Sequence, residues 1–502
     1  MHLLAKDRII AQPGFNRWLV PPAALAIHLS IGMAYGFSVF WLPLGRAIGI
    51  SSPATDDWKI STLGWMYTLF FVVLGSSAAV FGAWVEREGP RKAGVVAACC
   101  WGGGFMVSAI GIHLHQIWLL WLGSGVLGGC GLGLGYISPV STLLKWFPDR
   151  RGMATGLAIM GFGGGAMIGT PLADALMQRF ATPASVGVWE TFVVLGAIYF
   201  LAMMAGAFGY RLPPPGWSPQ VAQAIVQRPL DREGFRRASS VPVGVAWRTR
   251  QFWLLWAVLC LNVSAGIGVL GVASPMIQEI FKGRVHASAA AGFAGLLSLF
   301  NIGGRIFWAS LSDRLGRKVT YAVFFGLGMI LYASAPTAGA SSLALFVAIF
   351  CVILTMYGGG FATIPAYLAD LFGAGQVSAI HGRLLTAWST AGVLGPVLVN
   401  YIREFEIARG IRPSEAYTFT MYVLVGLLAI GFVCNLAVRP VPDALFTAAT
   451  ATTQGSASAL SAIDAATPSA QRGLVAVAWT LVGLPLAWGV MKTLALASQM
   501  FW

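Results

Sequence analysis

A dozen long apolar runs, each at least about as long as a bilayer-crossing helix, dominate the 502-residue chain and leave it few possible folds. They lie near residues 18–44, 60–84, 92–112, 117–144, 152–177 and 190–211, then 251–279, 287–311, 319–336, 342–369, 379–402 and 416–438. A hydrocarbon core of about 30 Å takes about 20 residues of α-helix. Lipid offers no hydrogen-bond partners, so each run must satisfy its own backbone, which makes it a helix. With 57% of residues hydrophobic and 10% charged, a soluble globular domain is excluded. The net charge of +14 comes from short basic clusters between the runs and builds no continuous basic face, so it reports topology and no nucleic-acid partner is expected.

The fold class predicted is an all-α polytopic membrane protein made of two six-helix bundles plus an extra C-terminal transmembrane helix. The units expected are an N-terminal segment 1–17, a first bundle 18–211, a central linker 212–250, a second bundle 251–438, a flexible Ala/Thr/Ser/Pro-rich linker 439–472 and a thirteenth helix in 473–502. The apolar stretch from Trp18 to Leu44 is too long for a signal-peptide core and reads as an uncleaved first helix. Placing the N-terminus inside puts 21 Lys and Arg on the inner side and eight on the outer, which predicts a cytoplasmic N-terminus in a cell membrane, the inner one in a bacterium. All six cysteines lie in apolar runs without CxxC spacing and read as packing residues. Of six histidines only His28 is read as deep in a span, so neither metal nor cofactor is expected.

The two halves repeat one another. Glu86, Arg87, Gly89, Arg91 and Lys92 follow the second run as Asp313, Arg314, Gly316, Arg317 and Lys318 follow the eighth, and the acidic positions are 227 residues apart. Phe147 and Pro171 map onto Phe372 and Pro396 at an offset of 225, as Gly133 and Gly135 map onto Gly358 and Gly360. Internal symmetry of this kind underlies alternating-access transporters, whose sites lie between the halves. The paired loops resemble the loop signature of the major facilitator superfamily. The run from Trp146 through Asp149, Arg150 and Arg151 to Gly156, together with Asn301 to Arg305, resembles the oxalate/formate antiporter family and its relatives the monocarboxylate transporters. The resemblance covers roughly residues 18–440 and implies transport of small organic anions.

Arg305 is the sharpest single feature. It lies eight residues before Asp313, roughly 12 Å of helix from the inner end, where an arginine survives only facing the bundle interior, a wet cavity or a partner. Ser298, Asn301, Arg305 and Ser312 fall on one stripe of the eighth helix, which is expected to face the pathway. Among the other spans no deep acidic residue offers itself, so the expected partner is the carboxylate of a substrate, which a guanidinium fork matches in bidentate fashion. The alternative is a structural arginine. Asp313 and Glu86 are read as carboxylates of an inner latch with Arg87, Arg91, Arg314, Arg317 and Lys318, against the simpler reading of those cations as topology determinants.

Two departures from the relatives narrow the substrate. The resemblance implies, for proton-coupled members, an acidic residue one turn before the arginine, where this chain has Asn301; for oxalate binders it implies a lysine on the eleventh helix, where this chain has Trp388. One cation in place of two favours a single carboxylate. His28, Tyr35, Tyr67, Tyr136, Tyr357 and Trp388 are candidate cavity residues, with ordinary packing as the alternative for each. The function expected is exchange of small monocarboxylates such as formate, acetate or pyruvate by a transporter acting as a monomer, with lipid and the small acid as its only partners. Proton symport through His28 and a transporter-derived sensor without turnover are the rivals. A membrane enzyme would need an embedded nucleophile, metal or haem constellation, and the sequence shows none.

Overall fold

The computed structural model of the chain describes residues 2–12, 14–52, 54–58, 60–214, 217, 239–285, 287–373, 375–448, 469–498 and 500. Thirteen of its helical segments are long and apolar enough to cross a membrane. We number them α1 (Val20–Ile31, continuing as a 3-10 stretch Gly32–Phe40), α2 (Ile60–Glu88), α3 (Pro90–His113), α4 (Ile117–Leu120, a π turn, then Gly128–Trp146), α5 (Arg151–Phe180) and α6 (Val188–Gly209) in the first bundle. The second bundle holds α7 (Arg250–Ile280), α8 (Ala287–Leu315), α9 (Arg317–Ser334), α10 (Leu343–Phe372), α11 (Val377–Leu384 and Thr386–Ala408) and α12 (Tyr417–Ala437); α13 is Ser469–Ser498. The end of the bundle where α2 meets α3 and α8 meets α9 carries Arg87, Arg91, Arg314, Arg317 and Lys318 and is called the basic end below. Most of the expected central linker and of the tail before α13 lies outside the described residues, but a two-residue antiparallel pairing joins Ser239–Ser240 to Thr447–Ala448.

The repeat is visible in which helices touch. In the first bundle α1 packs on α5, α2 on α4 and α3 on α6; in the second, α7 packs on α11, α8 on α10 and α9 on α12. The bundles meet along α5 against α8 and α2 against α11, two seams that the repeat exchanges. Glycine makes both possible. A Cβ at Gly156 would strike the Arg305 carbonyl across one seam, and a Cβ at Gly382 would strike the Ala78 carbonyl across the other. Without side chains there, the backbones approach closely and dispersion contacts replace the hydrophobic drive that lipid removes.

α13 lies across a seam. Leu486 packs on Gly164 and Gly489 on Met167 of α5, while Thr493 packs on Gly295 of α8. Nearer the basic end, the Gln471 side chain accepts from the Asn16 amide (3.0 Å) and the Trp479 indole donates to the Trp18 carbonyl (3.2 Å). The extra helix therefore touches both bundles.

Adjacent glycines on α8 make a test of the packing. A Cβ at Gly304 would enter the backbone of Thr355 on α10, whereas at Gly303 it meets nothing within 4 Å. We expect Gly304→Ala to destabilise the protein by about 1–3 kcal/mol through overpacking, and Gly303→Ala to leave it unchanged or slightly more stable because alanine favours helix. Thermal unfolding in detergent reads both; equal melting temperatures for the two variants would contradict the close α8/α10 contact.

Candidate functional site

Arg305 is 1% exposed and lies at the α5/α8 seam. Its Nε donates to the Asn301 side-chain oxygen one turn away (2.9 Å), and one terminal nitrogen donates to the Ile159 carbonyl of α5 (3.0 Å). The other, Nη2, is buried without a hydrogen-bond partner among the described residues. No salt bridge to Arg305 is found among them. Phe162 and Phe361 flank the guanidinium with ring centres 5.8 and 5.6 Å from its central carbon, one ring from each bundle. The fork is thus anchored on two sides and open on one.

More rings complete a box. Trp388 follows a break in α11 at Leu385, where its amide bonds the Leu385 carbonyl three residues back (3.0 Å). Its ring centre is 4.7 Å from Phe361, 5.3 Å from Phe162 and 5.3 Å from Tyr136. Tyr35 sits in the tight 3-10 stretch of α1, where Gly32 lets the chain press onto the Phe162 carbonyl; its ring lies 4.8 Å from Phe162, and its hydroxyl meets that of Tyr357 on α10 at 3.1 Å. The Arg305 charge reaches the phenols of both Tyr35 and Tyr136. The Trp388 indole N–H is buried without a partner among the described residues, and Arg305 Nη2 and the Tyr136 hydroxyl, which face each other, make no other hydrogen bond there. Tyr136, Tyr357 and Trp388 are almost fully buried and Tyr35 is half-buried.

Of the eight candidate binding residues, Arg305, Asn301, Trp388, Tyr35, Tyr136 and Tyr357 come together here. His28 lies one layer behind: its two ring nitrogens face the carbonyls of Ala158 and Tyr136, so the backbones of α5 and α4 hold it and it does not enter the box. The Tyr67 side chain lies outside the described residues. The polar stripe on α8 is shorter than the sequence suggested, because Ser298 bonds back to the Ala294 carbonyl (3.2 Å) and Ser312 to that of Ala309 (2.7 Å). Phe162, Phe361 and His381 were not singled out from the sequence. His381, near the start of α11, is 1% exposed, which corrects the expectation that His28 is the only deep histidine.

At the basic end the two acidic positions do cross between bundles, although to different partners from those expected. Asp313 accepts from the amides of Gly152 (2.8 Å) and Met153 (3.1 Å) at the start of α5. Glu86 accepts from the Ser378 amide at the start of α11 (3.1 Å). The first amides of a helix have no intrahelical acceptor and carry its positive end, so each carboxylate closes a seam by capping a helix of the opposite bundle. The cations support from their own side: Arg317 binds Asp313 (2.6 Å) and Asp370 (2.9 Å), and Lys145 binds Glu86 (2.6 Å). Lys6 donates to the Glu86 carbonyl (2.7 Å), and burial, followed by the nearby Lys145 charge, holds its ammonium below its usual pKa.

The remaining latch candidates are elsewhere. Arg87 pairs with Glu88 (3.2 Å), Arg91 donates to the carbonyls of Leu3, Phe208 and Tyr210 within the first bundle, and Lys318 donates to those of Leu436 and Val438 within the second. Arg314 is exposed. Glu88 pairs with both Arg87 and Lys92. Repeat-related cations thus serve structure on one bundle and the seam on the other.

Among curated proteins, the chain is 28% identical to the oxalate:formate antiporter of Oxalobacter formigenes, over 76% of this chain and 83% of that one. It is 24% identical to apicoplast pyruvate carrier 1 of Toxoplasma gondii, over 76% of each, and 27% identical to human monocarboxylate transporter 11, over 77% of each. Among solved structures it resembles the major facilitator transporter FucP in the outward conformation, with a TM-score of 0.58 at 14% identity over 85% of this chain and all of that one. The sequence pattern of the major facilitator superfamily matches residues 14–396, and with thirteen apolar helices and two repeat-related bundles the chain belongs to that superfamily as a multi-pass membrane transporter.

Proposed function

We propose that the chain exchanges small monocarboxylates, of the size of formate, acetate or pyruvate, by alternating access, and that it performs no enzymatic chemistry. The observation that carries this reading is the unpaired Nη2 of Arg305 inside an aromatic box. A buried cation with an unused donor recruits an anion, and the Tyr136 hydroxyl and Trp388 indole supply further donors for a carboxylate's lone pairs. The rings wall off the carbon end of a short acid. The relatives named for oxalate and formate, pyruvate and monocarboxylates support the same substrate class. The positive-inside rule places the basic end in the cytoplasm, in the inner membrane if the source is a bacterium, and the two complete bundles are read as a functional monomer.

In this mechanism the two bundles rock about the box. Breaking the carboxylate caps at Asp313 and Glu86 opens the basic end, and remaking them closes it. Exchange is favoured over net movement because an empty return would carry Arg305 through a closed site with its charge unmatched, while a loaded return would not. A second reading, proton-coupled symport, rests on His28, whose two ring nitrogens both face carbonyl oxygens and so suit a doubly protonated ring. Accumulation driven by a pH gradient into vesicles that hold no internal anion would favour it over exchange.

Arg305→Lys keeps the charge but loses the planar fork, so labelled formate exchange in reconstituted vesicles should fall at least about tenfold while gel filtration shows an intact protein. Wild-type exchange by that variant would remove Arg305 from the site. A second cation at Trp388→Lys should shift competition from formate toward oxalate, since an uncompensated charge in a buried site costs about several kcal/mol. Oxalate outcompeting formate on the unaltered protein would contradict the single-cation argument.

The caps carry a prediction of their own. Each charge-assisted cap contributes about 1–2 kcal/mol, so Glu86→Gln combined with Asp313→Asn should move a closed basic end toward open by about tenfold or more. Spin labels at Arg87→Cys and Arg314→Cys, both on exposed sites, should then report a longer distance population. An unchanged distance distribution would show that the caps do not hold the seams.

A further inference from the structure

Between the box and the basic end, α11 carries a file of buried polar groups that nothing in this conformation uses. Neither ring nitrogen of His381 has a hydrogen-bond partner among the described residues, nor does the Trp388 indole, while the Ser378 hydroxyl beside them faces the Glu86 carboxylate. Residues 378 and 381 are three apart on the first segment of α11, and Trp388 follows the break at Leu385 on the second. His381 and Trp388 both meet α4: the Tyr136 ring centre lies 5.9 Å from His381 and 5.3 Å from Trp388, so Tyr136 stands between the two. Its own hydroxyl faces the Arg305 guanidinium beyond it and has no further partner among the described residues. Buried polar groups in folded proteins are normally paired, and several left unpaired along one line need a partner in another state of the molecule.

We propose that His381 is a second carboxylate-binding station, engaged when the basic end is open, through which the anion passes between Arg305 and the cytoplasmic surface; this rests on the monocarboxylate reading above. Position supports it. Ser378, whose amide is capped by Glu86, lies one turn closer to the basic end, so releasing that cap uncovers His381 before Trp388. Small residues on α2 line the adjoining seam, with Gly82 against Ser378 and Ala379 and with Ala78 against Gly382, so separation of α2 from α11 opens one side of the imidazole while the Tyr136 ring stays on the other. Chemistry supports it as well. An imidazole N–H and the Tyr136 hydroxyl are two donors suited to a carboxylate's lone pairs, and without a cation the station is weak enough to release the ion. The proposal differs from a role at Arg305 in being one-sided.

The test is sidedness. Vesicles with the transporter oriented either way, exchanging labelled formate, give a half-saturation concentration for each face. His381→Leu should raise that value about fivefold or more from the basic face and leave it within about twofold from the other; His381→Asn, which keeps an N–H donor, should restore most of the loss. Equal effects on both faces, or none, would overturn the proposal, as would an asparagine variant no better than leucine. Should the leucine variant fail to fold, His381→Phe, which fills the space without a donor, takes its place and must raise the half-saturation concentration on the basic face alone. Absence of formate, acetate and pyruvate exchange by the unaltered protein would instead reject the substrate reading.

Discussion

The unpaired N–H of a buried guanidinium organises the centre of this molecule. Arg305 is held by Asn301 on its own helix and by the Ile159 carbonyl on the opposite bundle, so the cation is itself a bond across the seam. Aromatic rings, one from each bundle, flank the guanidinium and leave Nη2 without a hydrogen bond to the backbone or to an acidic side chain among the described residues. An arginine so placed is costly in a low-dielectric interior, and the cost falls when an anion completes the fork. On the reading proposed above, a substrate carboxylate would complete the fork, which is the condition a carrier needs in order to move its cargo and not merely bind it.

Pseudo-symmetry supplies the mechanics and asymmetry supplies the chemistry. The α5/α8 and α2/α11 seams are exchanged by the repeat and closed by equivalent devices, Asp313 on the amides of Gly152 and Met153, and Glu86 on that of Ser378. A cap of this kind is short-ranged and directional, so it is complete or absent and is suited to a two-state motion. The repeat also sets Arg305 against Ala78: the carbonyls of both meet glycines across their seams, Gly156 and Gly382. Only one seam bears the cation. A symmetric frame thus holds a one-sided site.

The bundles, their helices and the central arginine were legible in the sequence because lipid makes spans long and continuous and makes a lone deep charge conspicuous. The ring box was legible only in part. Tyr35, Tyr136, Tyr357 and Trp388 were recognisable as amphipathic or unusual residues, whereas Phe162 and Phe361 look like any lipid-facing phenylalanine. The signal for them lay in the repeat, since the offset of 225 carries Tyr136 to Phe361, and 226 carries Phe162 to Trp388. The latch partners were illegible for a different reason. Charge pattern suggested side-chain cations, but the partners are backbone amides, which every residue carries and no sequence pattern distinguishes. His381 was overlooked because it stands only four residues into the helix, where burial depends on which neighbour covers it; here those neighbours are Tyr136 and the small residues of α2.

The thirteenth helix adds a constraint that twelve-helix symmetry lacks. Its contacts with Gly164 and Met167 of α5 and with Gly295 of α8 straddle the seam between the two bundles, the one that the proposed rocking motion would shear. Contacts of this type, an apolar side chain on a glycine or a glycine on a backbone, are smooth and make no hydrogen bond across the seam, so sliding along them breaks little. Its polar attachments are different in kind. The Gln471 bond to Asn16 and the Trp479 bond to Trp18 lie beside the basic end and go to the first bundle only. Among the described residues the helix thus makes its directional bonds to the chain just before and at the start of the first bundle, while its packing is shared between α5 and α8.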